Sequence, residues 1–209
     1  MTYPIIQPPF TLDFPRMSKR ELAEYREWFL DILPERIRIL EVIVRTTPGF
    51  ERWHADETPE SLDTLGEWLA SQVETRARAP EELAKLREET PHQFKDILPV
   101  EQWELTNRTY SLAMDCGMYL GQVMLRTHSE RLQWGQDLRD RRSMDYGQVL
   151  IVGTGVVSMD TVGFLVSMAQ NFVRKTGKRD LRAVYDIWSG PESGLFVPPP
   201  AKKVRKPRS

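Results

Sequence analysis

Thr106–Thr127, TNRTYSLAMDCGMYLGQVMLRT, is the stretch whose reading decides the fold. Its apolar and small residues run almost without a break from Leu112 through Ala113, Met114, Cys116, Gly117, Met118, Tyr119 and Leu120 to Val123, Met124 and Leu125. Strands in globular proteins are usually about 5–6 residues long. This run therefore predicts a central helix buried on most sides. One carboxylate, Asp115, interrupts it. An unpaired charge in such a place is expensive, so Asp115 must face a polar seam or a cation. Arg108, Arg126 and the arginines around position 140 are the candidate partners. An ion pair tying the helix to its neighbours accounts for Asp115 more simply than catalysis does.

Downstream, the pattern changes to short β-prone runs, Leu132-Gln133-Trp134 and Gln148–Val152, separated by a charged loop. They predict a two-stranded ribbon, which needs a helix against one face and can take the central one. Val162, Leu165, Val166, Ala169, Phe172 and Val173 then recur at helical spacing, ended by Thr176-Gly177-Lys178. Asp180 opens one more helix carrying Leu181, Val184, Ile187 and Trp188.

Upstream, Ser18 and Glu21 form a capping box ahead of Leu22, Tyr25, Trp28, Phe29 and Ile32. Pro34 is expected to break or kink that helix before Ile37, Leu40, Ile43 and Val44 continue the apolar stripe to Pro48-Gly49. Thr58-Pro59 reads as the start of a helix carrying Leu62, Leu65, Trp68, Leu69 and Val73. Pro80 opens a highly charged surface segment. The fold class expected is helix-dominated α+β: mostly α, with a small two-stranded β element late in the chain. Its organisation reads as an extended proline-rich arm over 1–17, a single helical domain over 18–190 with the ribbon around 131–152, and a proline-rich basic tail over 191–209, expected to be disordered. The apolar residues of the arm imply that it lies along the body.

The chain has 209 residues, 40% of them hydrophobic and 28% charged, the composition of a globular protein. No apolar run reaches the roughly 20 residues that span a bilayer, and the first residues lack the basic start and apolar stretch of a secretory signal. The expected location is the cytoplasm, without membrane contact. A lone cysteine, Cys116, excludes an internal disulfide and any zinc site built on paired cysteines. The formal net charge of -1 hides a segregation. Residues 51–104 hold 14 acidic and 6 basic side chains, whereas residues 198–209 hold five basic and no acidic ones.

No catalytic constellation emerges. Val149–Val152 running into Gly153 and Gly155 has the outline of a dinucleotide-binding turn, in which pyrophosphate would sit on a helix N-terminus. Ser158 stands where a third glycine would, and no second strand ending in an acid follows, so a tight exit from a buried strand is the competing account. His54, His92 and His128 lack the spacing that places two imidazoles on one helical face. Gln102-x-Glu104 has the spacing of an ADP-ribosylating motif without its supporting strands, and reads instead as the solvated approach to a helix. Cys116, among apolar neighbours, reads as packing. No cofactor, no metal and no enzymatic activity are expected.

Two charged surfaces remain. Phe50, Glu51, Trp53, Asp56, Glu57, Glu60, Asp63 and Glu67 combine acids with aromatics expected to be exposed, the make-up of a patch that docks a basic protein surface. Acids at the start of a helix, favoured by its dipole, are the other explanation. Arg139, Arg141 and Arg142 in the ribbon loop, with Lys202, Lys203, Arg205, Lys206 and Arg208 in the tail, could meet phosphate. Lys202-Lys203-Val204-Arg205 also has the form of a nuclear-localisation signal. Asp137, Asp140 and Asp145 dilute the loop, so a solubilising role is the alternative and nucleic acid is the less favoured partner.

The series Asp115-Cys116-Gly117-Met118-Tyr119-Leu120-Gly121-Gln122-Val123, then Trp134, then Asp145-Tyr146-Gly147-Gln148-Val149-Leu150 resembles a poorly characterised bacterial group similar to the immunity proteins encoded beside polymorphic toxins, Rhs-type toxins included. The likeness runs from about Leu62 to Trp188. It implies an antitoxin-like role: binding a cognate toxin domain and blocking its active site. The acidic and aromatic region Phe50–Glu67, singled out by its composition and helped by the ribbon loop, is the surface expected to do so. A nucleic-acid- or nucleotide-binding regulator using the basic loop and tail is the alternative.

Overall fold

The apolar run around Asp115 forms a helix, Asn107–Thr127, begun by the Thr106 hydroxyl accepting from the Thr109 N–H. It is the element against which the others pack. The structure, a computed structural model, describes residues 3–90, 100–153, 155, 157–176 and 180–197. Among these, α1 is Lys19–Arg45, α2 Leu62–Gln72, α3 Pro80–Glu89, α4 the central helix, α5 Thr161–Val173 and α6 Leu181–Ser189. Two antiparallel pairs of strands complete the fold: β1 Thr75–Ala77 with β2 Trp103–Leu105, and β3 Gln133–Gln136 with β4 Val149–Val152. The protein is thus helix-dominated with small β elements.

The capping box at Ser18 and Glu21 starts α1 in both of its reciprocal hydrogen bonds. Pro34 does not end it: α1 continues to Arg45, and Leu33, Leu40 and Val44 lie buried on either side of the proline. Packing along a whole apolar stripe outweighs the roughly 3 kcal/mol a helical proline costs. Before α2, Pro59–Ser61 makes a single 3₁₀ turn, and the Thr58 side chain caps nothing. α3 buries none of its residues, in keeping with its charge.

β3 and β4 lie at the expected ribbon, with Trp134 opposite Ile151. Trp134 lies over α4 where Gly121 has no side chain; a Cβ there would collide with the indole ring. α4 therefore supplies the covered face that a two-stranded ribbon needs. The β1–β2 pair was not legible as strands. Its three-residue runs carry Arg76 and Glu104, and the pair is braced by charge: Arg76 bridges Glu82 of α3 at 2.6 Å and also meets Glu104, which Arg78 holds at 2.7 Å. Glu104 thus sits on a strand that leads directly into α4, as the approach to a helix, and is neutralised by arginines rather than left to solvent.

Both ends of the described chain fold back on the body. Tyr3 and Met17 of the arm are buried. At the other end the tail assignment needs correction over residues 191–197: Leu195 and Phe196 are buried, and the Gly155 and Val157 N–H groups donate to the Leu195 and Gly194 carbonyls at 2.8 and 3.1 Å. Two apolar side chains outweigh the local proline and glycine content. The basic residues 202–208, together with Gly177, Lys178 and His92, lie outside the described residues.

Candidate functional site

The acidic and aromatic segment folds around Tyr119 of α4. The Tyr119 hydroxyl accepts from the Glu57 N–H at 3.0 Å and lies 2.5 Å from Ser61 Oγ. Burial pushes this phenol up to about 12. Trp53 packs edge-on against the Tyr119 ring at 5.3 Å and donates from Nε1 to the Ser61 carbonyl at 2.7 Å. It is only 6% exposed, so the expectation of exposed aromatics is corrected. Trp53 is a core anchor, because an indole with both a ring partner and an N–H acceptor inside is more stable there than in water. Phe50 is half-buried against the same cluster.

What the segment presents outward is a cleft of about 350 Å³, bounded by Phe50, Arg52, Trp53, His54, Asp56 and Glu60 among others. The acids at and around it are held by different partners. Glu51 accepts from the Gly49 N–H at 3.0 Å, and the Asp56 carboxylate accepts from both the N–H and the hydroxyl of Thr58 at 3.0 and 2.7 Å. Backbone donors hold both carboxyls below their usual range. Glu57, in the left-handed region at φ +58°, pairs with Arg126 at 3.4 Å. Arg182 of α6 reaches Glu60 at 3.2 Å and Asp63 at 3.9 Å. His54 meets Glu41 of α1 at 3.0 Å. Glu67 lies on α2, outside the cleft. The excess of acid in sequence is therefore reduced in space by Arg126 and Arg182, which charge counting along the chain could not assign to this region.

Arg139 and Arg142 turn back onto the aspartates two positions earlier. Arg139 Nη2 reaches Asp137 at 2.7 Å and Arg142 reaches Asp140 at 3.2 Å, while Arg141 stands 6.0 Å over the Tyr146 ring. The Arg139 guanidinium holds Asp137 down to about 2. Of the three, Arg139 borders a different cleft, of about 410 Å³, with Leu138, Val152 and Gly155. The acidic segment and the ribbon loop thus line separate concavities.

Gly153 and Gly155 face their own chain. A Cβ on Gly153 would lie 2.6 Å from the Leu195 carbonyl oxygen, and Gly155 is packed equally tightly on Gly194 and Leu195. The following helix, α5, begins only at Thr161 and is capped by the Asp160 carboxylate. On their Cβ sides both glycines are packed against the Gly194-Leu195 backbone, and the helix that follows starts six residues beyond Gly155 with its own anion at the N-terminus.

Asp115 finds a partner that the sequence did not single out. Arg36, from α1, donates from Nε and Nη2 to the two carboxylate oxygens at 2.8 and 2.7 Å. The Tyr3 hydroxyl donates to the same carboxylate. Arg36 and Asp115 are 7% and 0% exposed. Burial pushes the Asp115 carboxyl up and the Arg36 guanidinium down, while the fork geometry favours the charged forms of both. Beside it, Cys116 is fully buried and its thiol is pushed up by burial and by the Asp115 charge. Among the described residues no cluster of His, Cys, Asp or Glu could hold a metal ion, and no helix is long and apolar enough to cross a membrane.

Comparison with protein-family models, with characterised proteins and with solved structures gives no match.

Proposed function

We propose that this chain acts by binding a basic protein surface and not by catalysis, and that in its particular form it is an immunity protein that covers the active site of a cognate bacterial toxin. The observation that carries the reading is the cleft beside Asp56 and Glu60, a concavity that brings these carboxylates together with Phe50 and Trp53. The Asp56 carboxyl is held ionised by backbone and hydroxyl donors, and a fixed charge beside aromatic side chains suits a lysine or arginine of a partner. The residues that carry the resemblance have architectural roles: Asp115 pairs with Arg36, and Gly121 admits Trp134. A group sharing them would share a scaffold while its binding surface diverged, as suits proteins matched one by one to different toxins.

The test is co-purification with the protein encoded next to it, followed by titration of the double variant Asp56→Arg with Glu60→Arg. Affinity should fall at least tenfold and lose part of its salt dependence. Unchanged affinity and salt slope would remove the cleft from the interface. The alternative, a nucleic-acid- or nucleotide-binding regulator, would rely on Arg139 and Arg142, whose charges are already met by Asp137 and Asp140.

A further inference from the structure

The first described residues, 3–8, contain no helix or strand and yet make three directed polar contacts with the helices. The Tyr3 hydroxyl donates to Asp115, the Pro4 carbonyl accepts from Arg36 Nη1 at 3.0 Å, and the Ile6 N–H donates to Ser111 Oγ at 3.0 Å. The Arg36 guanidinium also lies 5.4 Å over the Tyr3 ring. The receiving side is held in place without the arm: Arg36 and Asp115 already pair between α1 and α4, and the Ser111 hydroxyl donates to the Asn107 carbonyl at 2.9 Å. One buried side chain with its hydroxyl satisfied, one backbone carbonyl and one backbone N–H two residues on are the features by which an extended peptide is recognised. Next to these contacts a cleft of about 380 Å³, bordered by Ile5, Pro8, Tyr110 and Met114, leaves the outer edge of the arm open.

We propose that the slot between α1 and α4 is a recognition site for an extended Tyr-Pro-x-Ile segment, and that residues 3–6 are its ligand in cis, docking and releasing as a unit while the helical body stays folded. The polar contacts select the sequence. A phenylalanine in place of Tyr3 would leave the Asp115 carboxylate one donor short, and a charged acceptor makes that loss larger than for a neutral one. Attachment to the same chain holds the segment at an effective concentration on the order of millimolar, which keeps the slot filled. This inference is independent of the acidic cleft, and its test needs no partner protein.

The experiment is a titration of the full-length Tyr3→Ala chain, its fold checked by far-UV circular dichroism, with a fluorescent peptide of residues 1–10. Saturable one-to-one binding is expected, at least tenfold tighter than to the wild-type chain, whose own arm competes. The same peptide with phenylalanine for tyrosine should bind at least tenfold more weakly. Absence of saturable binding, or equal affinities for the two chains or the two peptides, would overturn the proposal. Should Tyr3→Ala fail to fold, Tyr3→Phe keeps the ring in place. Hydrogen exchange at the Ile6 amide should then quicken at least tenfold while the amides of α4 keep their protection. An unchanged Ile6 rate, or loss of protection throughout α4, would show the arm to be an integral part of the core.

Discussion

Removing Asp115 while keeping Arg36 should be among the most damaging single changes to this protein. In Asp115→Leu the guanidinium of Arg36, 7% exposed, loses both acceptor oxygens and keeps its charge inside the fold. Breaking a buried pair from one side costs about 3–5 kcal/mol. For a chain of this size each kcal/mol moves the melting temperature by about 2–4 °C, so Tm should fall by roughly 6–20 °C. Arg36→Met should cost a similar amount near neutral pH, with a different pH dependence. Burial raises the Asp115 carboxyl above its unfolded value, so without the arginine the folded state binds the proton more tightly. Stability of Arg36→Met is then greatest below the unfolded pKa and is lost as pH rises through the folded one. The double variant Arg36→Met with Asp115→Leu removes both charges and leaves mainly the Tyr3 hydroxyl unpartnered, a cost of about 1–3 kcal/mol. Urea unfolding of the four proteins, with m-values checked for constancy, gives the coupling. A double variant as unstable as the sum of the singles would show that the pair does not act as a unit.

Gly121→Ala should destabilise by about 1–3 kcal/mol through the Trp134 ring, although the same change in an open helix stabilises by up to about 1 kcal/mol; the sign of the shift in urea midpoint separates the two. Trp53→Ala should cost about 3–5 kcal/mol of stability, measured without any partner present, and a loss under 1 kcal/mol would return this indole to the surface. His128 should titrate below 6.5 by NMR, since burial and Arg131 disfavour its charged form. The sign follows from the lowered folded pKa. Its contribution to stability is present above 6.5 and lost as pH falls toward the folded value, and that part of the acid destabilisation should vanish in His128→Gln.

Elements whose signals are local were legible in the sequence. The Ser18 and Glu21 capping box, the long apolar run of α4 and the strand Val149–Val152 each carry their signature within a few residues. What escaped was set by contacts between distant positions. Arg36 and Asp115 lie 79 residues apart, so the sequence could show that a carboxylate needed a cation but not which one. The β1–β2 pair escaped because three-residue strands offer too short a pattern. Trp53 was misread because its neighbours in sequence are acids while its neighbours in space are Tyr119 and Ser61. The segment around Asp56 was singled out by charge and aromatic content as a patch, but its electrostatics depend on Arg126 and Arg182, contributed by helices far along the chain.

The placement of Cys116 gives the protein a built-in gauge of how far its core is open. It is the only cysteine, it lies at 0% exposure in the main core cluster, and its thiol is held in the unreactive form. An alkylating reagent can reach it only when α4 parts from the elements around it. Under native conditions, with reclosing faster than alkylation, the modification rate therefore reports the fraction of molecules whose core is open at any moment. The same thiol records the opening of the core in a test tube and in a crowded lysate, with no label added to the chain.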